Sequence, residues 1–104
     1  MERRKLPRID VYAPVQVRIF GRKESHKGRV VNISQGGLRF VSDVTFPIDE
    51  VLQFDVADWI LIGTVRHCST GERPFATGIE LQNVISKHDF DALLQELNSE
   101  FALP

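Results

Sequence analysis

Residues 29–40 read RVVNISQGGLRF, and this stretch carries the clearest signal for the fold. Apolar residues lead up to Ile33, and Leu38 and Phe40 flank Arg39, which predicts two short strands. Between them, residues 32–37 combine Asn, Ser and two adjacent glycines. These residue types favour a turn, and the glycines would supply positive φ at little cost. The stretch therefore predicts an antiparallel hairpin.

The same two-residue alternation continues on both sides of this hairpin. Val15, Val17 and Ile19 alternate with polar residues, so a strand is predicted from residue 11 onwards. A polar segment bounded by glycines, residues 21–28, predicts a long hairpin loop. Three further strands are predicted downstream, over residues 52–56, 59–67 and 75–81. Six short antiparallel strands favour a small β-barrel, because closure removes exposed edges.

The spacing becomes helical at the C-terminal end. One apolar stripe is formed there by Phe90, Leu93, Leu94, Leu97 and Phe101. Ser86 is the expected N-cap. We expect this helix to cover an open end or seam of the barrel. The predicted fold is therefore all-β with a C-terminal helix: a flexible basic arm (1–10), a six-stranded antiparallel β-barrel (11–83) and a helix packed on it (84–104).

Composition excludes several classes of protein. The chain has 104 residues, 42% of them hydrophobic and 26% charged, as in one globular domain. A single cysteine, Cys68, excludes an internal disulfide and a cysteine zinc site, and it fits a reducing compartment such as the cytoplasm. The longest apolar run is residues 59–62, so no membrane-spanning helix is expected. Residues 1–5 are basic without an apolar stretch behind them, which predicts no secretory signal.

The net charge of −1 conceals a strong division along the chain. Residues 1–29 hold nine of the 13 Lys and Arg and three acids, a net charge of +6. The remaining residues hold four basic and eleven acidic side chains, a net charge of −7. This division indicates an anionic partner at the N-terminal end, although a solvated basic tail would give the same pattern.

No arrangement in the sequence predicts catalysis or a metal site. His26, His67 and His88 lack the spacing of a helical metal pair. The neighbours His67 and Cys68 would point to opposite faces of a strand, so they cannot form a nucleophile–base pair. Glycine-rich phosphate-binding motifs are also missing from the sequence.

Two short motifs favour binding instead. Arg4 and Arg8 lie four residues apart, about 13 Å in an extended arm, so both can reach one ligand. Arginine grips phosphate or the O6/N7 edge of guanine bidentately, which points to a compact anion with purine rings. In the turn, Asn32 can face a base edge and Ser34 can bind phosphate. A plain hairpin turn would use the same residues. Arg18 and Arg22 repeat the spacing and are interpreted as solvent-facing.

Together the two motifs resemble the PilZ domain family. Arg4-Lys5-Leu6-Pro7-Arg8 is similar to its Arg-x-x-x-Arg motif, and Asn32-Ile33-Ser34-Gln35-Gly36-Gly37 to its Asp/Asn-x-Ser-x-x-Gly motif. The strand at residues 37–40 and the stretch at 77–81 are also similar, so the resemblance covers about residues 3–83.

The resemblance implies a six-stranded barrel that binds cyclic di-GMP, a bacterial second messenger with two guanines and two phosphodiesters. It implies that Arg4 and Arg8 clamp guanine and phosphate, and that Asn32, Ser34 and the Gly36–Gly37 pair hold the other guanine side. Arg3 would accompany a stacked pair of ligands. The implied mechanism is a conformational switch that a partner protein recognises. We expect no cofactor, and a monomer without ligand, because that is the default for a closed barrel.

Two other functions remain open at this point. The first is a PilZ-like adaptor that binds proteins but no nucleotide. The second is a small barrel for single-stranded nucleic acid, which needs a basic groove and exposed aromatics. The second is disfavoured because the basic charge stops at Arg29 and five aromatics occupy core positions: Phe40, Phe54, Phe75, Phe90 and Phe101. We therefore expect no nucleic acid polymer as partner, and the short apolar runs predict no membrane insertion.

Overall fold

A computed structural model describes residues 8–85 and 90–103 of the chain. The elements are β1 (Arg8–Ile19), β2 (Ser25–Ser34), β3 (Gly37–Ser42), β4 (Val51–Val56), β5 (Trp59–Cys68), β6 (Phe75–Ile85) and α1 (Phe90–Phe101). All strands join one closed barrel in the order β1-β2-β3-β6-β5-β4, and every neighbouring pair is antiparallel. The predicted fold class is confirmed.

The barrel is filled by alternate residues of its strands. On β1 every second side chain from Val11 to Val17 is buried. Phe40 and Phe54 are fully buried and meet edge to face, with ring centroids 5.3 Å apart. Of the other aromatics, Phe46 and Trp59 are buried, Phe75 and Phe101 are partly buried, and Tyr12 and Phe20 are half-exposed. The side chain of Phe90 lies outside the described residues.

Helix α1 lies against β1, whose first part pairs with β2 but not with β4. Strand β4 pairs with β1 only over Gln16–Ile19. Leu93 and Leu97 are fully buried, and Ala102 forms an isolated bridge with Val11. The Trp59 indole Nε1 donates a hydrogen bond to Glu96 Oε1 at 3.1 Å. The apolar stripe therefore covers a seam of the barrel. The predicted N-cap, Ser86, lies outside the described residues.

Strand boundaries differ from the predicted ones because pairing extends the strands. β1 begins at Arg8, not at residue 11, since Arg8, Ile9 and Asp10 pair with Ser34, Ile33 and Asn32. The last three residues of the predicted arm, 8–10, therefore belong to the barrel. The same pairing places 32–34 in β2 and leaves a two-residue turn, Gln35 and Gly36.

β2 and β6 are also longer than predicted. β2 begins at Ser25, so the loop expected over 21–28 is half as long. β6 continues to Ile85, two residues beyond the predicted end of the barrel. Among residues 8–85 and 90–103, no helix is long and apolar enough to cross a membrane.

Replacement of Leu97 tests the packing of α1. Leu97→Ala removes a fully buried side chain and is expected to lower the free energy of unfolding by about 2–5 kcal/mol. Gln95→Ala, on the exposed side of the same helix, should change it by less than about 0.5 kcal/mol. Urea titration of both variants measures the difference. Equal stabilities would contradict the packing of α1 against the barrel.

Candidate functional site

Six residues of β1, β2 and β3 form a patch on the outer face of the barrel. Arg8 pairs with Ser34, which pairs with Gly37, and Asp10 pairs with Asn32, which pairs with Arg39. Paired residues share a face, as do residues two apart on one strand. We call this group the β1–β3 patch: Arg8, Asp10, Asn32, Ser34, Gly37 and Arg39.

Side-chain contacts tie the patch together across strands. Arg8 Nη1 donates a hydrogen bond to Asn32 Oδ1 at 3.2 Å, although 24 residues separate them. Ser34 is 5% exposed, and its hydroxyl donates to the Gly37 carbonyl at a long 3.5 Å. The Gly36 carbonyl accepts a bond from the Leu81 amide at 3.1 Å, which fastens the turn to β6. The two sequence motifs therefore meet at Arg8 and Asn32.

Glycine at position 37 is required for a different reason from the predicted one. Positive φ occurs in the described residues at Gly21, Gly71, Asp49 and Ala57, and neither glycine of the turn is among them. A Cβ built on Gly37 would lie 2.5 Å from the backbone oxygen of Ile79. The expectation of positive φ in this turn was wrong. Close approach of β6 is the reason for the glycine.

Some predicted site residues come together and others lie outside the described residues. Arg8, Asn32, Ser34 and Gly37 share the patch, and Gly36 is exposed at its edge in the turn. Arg3 and Arg4 lie outside the described residues.

Two residues of the patch were missed by sequence reasoning. Arg39 is exposed and lies directly opposite Asn32. Its place between Leu38 and Phe40 in a predicted strand already indicated that it faces outward. Asp10 was assigned to the arm because its pairing with Asn32 is not visible in the local sequence.

Ion pairs distinguish the arginines of the barrel. Arg18 was interpreted as solvent-facing, but it is half-buried and its Nη2 lies 2.9 Å from Asp55 Oδ2. Arg66 contacts Glu80, with Nε donating to Oε1 at 2.7 Å. Within residues 8–85 and 90–103, Arg8 and Arg39 have no carboxylate partner. The cations of the patch are therefore available to an anionic ligand.

The patch is separate from a groove that lies on β1 and β2. That groove, of about 340 Å³, is lined by residues of β1 and β2 together with Asp55: Pro14, Val15, Gln16, Lys27, Gly28 and Arg29. It contains no residue of the β1–β3 patch. In the described part of the chain, no three His, Cys, Asp or Glu side chains are grouped as for a metal ion.

Comparison with known protein families decides the classification. The sequence model described as PilZ domain matches residues 2–99. The chain belongs to the PilZ domain family. PilZ domains are regulatory binding domains and not enzymes. A comparison with curated protein sequences gives no significant match.

Two solved PilZ-domain proteins share this fold. One is the Bacillus subtilis inhibitor of motility, MotI/DgrA, with a TM-score of 0.72 and 22% identity over 95% of this chain. The other is the PilZ domain of YcgR from Escherichia coli, solved with c-di-GMP, with a TM-score of 0.62 and 13% identity. It covers 94% of this chain, which spans 91% of that structure. This chain spans about half of the MotI chain, 51%.

Substitution of Gly37 tests the close approach of β6 in this PilZ domain. Gly37→Ala places a methyl group against the backbone at Ile79, so a strand must shift. We expect a loss of about 1–3 kcal/mol in the free energy of unfolding. Gln35→Ala, at an exposed position of the same turn, is the control and should be nearly neutral. Thermal unfolding measures both, and an unchanged Gly37→Ala variant would refute this role of Gly37.

Proposed function

We propose that this PilZ domain is a bacterial receptor for cyclic di-GMP, which it binds on the β1–β3 patch and signals to a partner protein. The observation that carries the proposal is the contact between Arg8 and Asn32. This contact brings the arginine motif and the Asn-x-Ser-x-x-Gly motif to one surface. Binding of c-di-GMP by the structurally similar YcgR domain supports the same ligand for this chain.

The chemistry of the patch suits this ligand. Cyclic di-GMP carries two phosphodiester charges, and Arg8 and Arg39 have no carboxylate partner in the described part of the chain. A guanidinium can bond phosphate or the O6/N7 edge of guanine in bidentate fashion. Gly36 is exposed at the edge of the patch and carries no side chain, so a flat ring can approach the turn there. Each of these groups would bind the ligand without changing it chemically, as a receptor requires.

The signal would pass through residues 1–7. Arg3 and Arg4 lie immediately before β1, so a ligand held by them and by the patch connects this segment to the barrel. Fixing a residue costs about 1–2 kcal/mol, and hydrogen bonds to charged groups return about 1.5–3 kcal/mol each. Several such bonds can therefore hold a short segment against the barrel. A partner protein in the cytoplasm would bind the surface that residues 1–7 form with the barrel when the ligand is present.

Calorimetric titration tests the receptor. We expect the unaltered protein to bind cyclic di-GMP at micromolar concentration, and Arg8→Ala and Asn32→Ala each to weaken binding about tenfold or more. Lys27→Ala removes an exposed cation that lies outside the patch and should have little effect. Two ligands per chain would support a role for Arg3 in a stacked pair.

Two outcomes would replace the proposal. Absence of binding by the unaltered protein would favour an adaptor that recognises proteins alone. Tighter binding of random single-stranded oligonucleotides than of cyclic di-GMP would favour the nucleic acid barrel.

Limited trypsin digestion tests the signal. Saturating cyclic di-GMP should slow cleavage after Arg3, Arg4 and Lys5 several-fold, because the bound ligand fixes this segment. Cleavage after Lys23, in the exposed loop between β1 and β2, serves as the internal control and should keep its rate. Mass spectrometry of the products gives both rates. Unchanged cleavage at full occupancy would refute the switch and leave ligand binding intact.

A further inference from the structure

We infer that Asp10 reads the Watson–Crick edge of guanine and makes the patch selective for guanine over adenine. The inference rests on the proposed function and adds a specificity-determining residue to the same site. Asp10 lies directly opposite Asn32 in the β1–β2 register. Their Cβ atoms are therefore about 4.5–5.5 Å apart on the outer face, close enough to contact one base together.

Asn32 alone cannot satisfy the guanine edge. Its Oδ1 already accepts a hydrogen bond from Arg8 Nη1 at 3.2 Å. The amide therefore presents its NH₂ group and one remaining lone pair of Oδ1 to a ligand. Guanine offers one acceptor on this edge, O6, and two donors, N1–H and the N2 amine. The Asn32 NH₂ can serve O6 and the remaining lone pair can serve at most one donor, so the other guanine donor still needs an acceptor.

Asp10 supplies the missing acceptor. It is exposed, and in the described part of the chain its carboxylate has no hydrogen-bond or ion-pair partner. An ionised carboxylate only accepts, and its two oxygens can take N1–H and N2–H side by side. Asn32 and Asp10 thus present donor, acceptor, acceptor, the complement of the guanine edge.

The same pair opposes adenine. Adenine carries an amino donor in the place of O6, and an unprotonated N1 acceptor in the place of N1–H. The Asn32 NH₂ would meet that donor and the Asp10 carboxylate would meet that acceptor, so the mismatch leaves polar groups unpaired.

The charge of Asp10 makes the inference sharply testable. A carboxylate beside a dianionic ligand repels it, so electrostatics alone predicts that Asp10→Asn strengthens binding of cyclic di-GMP. Recognition of guanine by Asp10 predicts the opposite, a loss of about tenfold or more. Asp43→Asn changes the net charge equally at an exposed position beyond the far end of β3, and should leave the affinity unchanged.

The experiment titrates the unaltered protein, Asp10→Asn, Asp10→Ala and Asp43→Asn with three probes. These are cyclic di-GMP, cyclic di-IMP, which lacks only the N2 amine, and cyclic di-AMP. The unaltered protein should prefer cyclic di-GMP to cyclic di-IMP by about tenfold, and this preference should largely vanish in both Asp10 variants. The second base loses the same amine in every protein, so the change in preference isolates the contact with Asp10.

Each outcome decides between the inference and its alternatives. Tight binding by Asp10→Asn with an unchanged preference for guanine over hypoxanthine would overturn the role of Asp10 and leave the receptor standing. Failure of the unaltered protein to bind cyclic di-GMP would overturn the receptor itself. Because Asp10 is exposed, the Asp10 variants should keep the unfolding temperature of the unaltered protein, which separates lost recognition from lost folding.

Discussion

A register shift in β2 determines which of its residues enter the core and which lie on the β1–β3 patch. Val30 and Ile33 are three residues apart, yet both are fully buried, which strict alternation along a strand does not allow. The ladder with β3 shifts between Val30 and Asn32 and leaves Val31 unpaired with β3. This bulge turns Asn32 outward while Ile33 remains in the core. A strand without it would direct Asn32 into the barrel and remove the contact with Arg8.

Closure of the barrel depends on the length of β1. Its first part pairs only with β2, and its last four residues, Gln16–Ile19, also pair with β4. The part of β1 before Gln16 therefore has β2 on one side and no strand on the other. Helix α1 packs there through Leu93 and Leu97. The edge of β1 beneath α1 is covered by apolar side chains, while its outer face remains available at Arg8 and Asp10. One strand thus contributes to the core, to the seam under α1 and to the proposed ligand surface.

The sequence predicted what local patterns control and missed what distant pairing controls. The alternation of Val15 and Val17 and the helical spacing of Leu93 and Leu97 are local, and the structure follows them. The turn chemistry of residues 32–37 is also local, but pairing with β1 converts half of it to strand. The reason for a glycine at 37 lies 42 residues away at Ile79, beyond any local pattern. The proposed role of Asp10 is also invisible in the local sequence, because it depends on the pairing of Asp10 with Asn32.

The division of charge along the chain is altered by folding. Acids of the C-terminal part neutralise individual cations: Asp55 pairs with Arg18, and Glu80 with Arg66. Arg8 and Arg39 lack such partners in the described residues and border a surface of short polar side chains. A long polyanion would have to follow the acidic remainder of the barrel, where it is repelled, whereas a compact dianion needs only the patch. The proposed selectivity for a small ligand therefore rests on the position of Arg8 and Arg39 among short polar side chains, more than on the net charge of the N-terminal end.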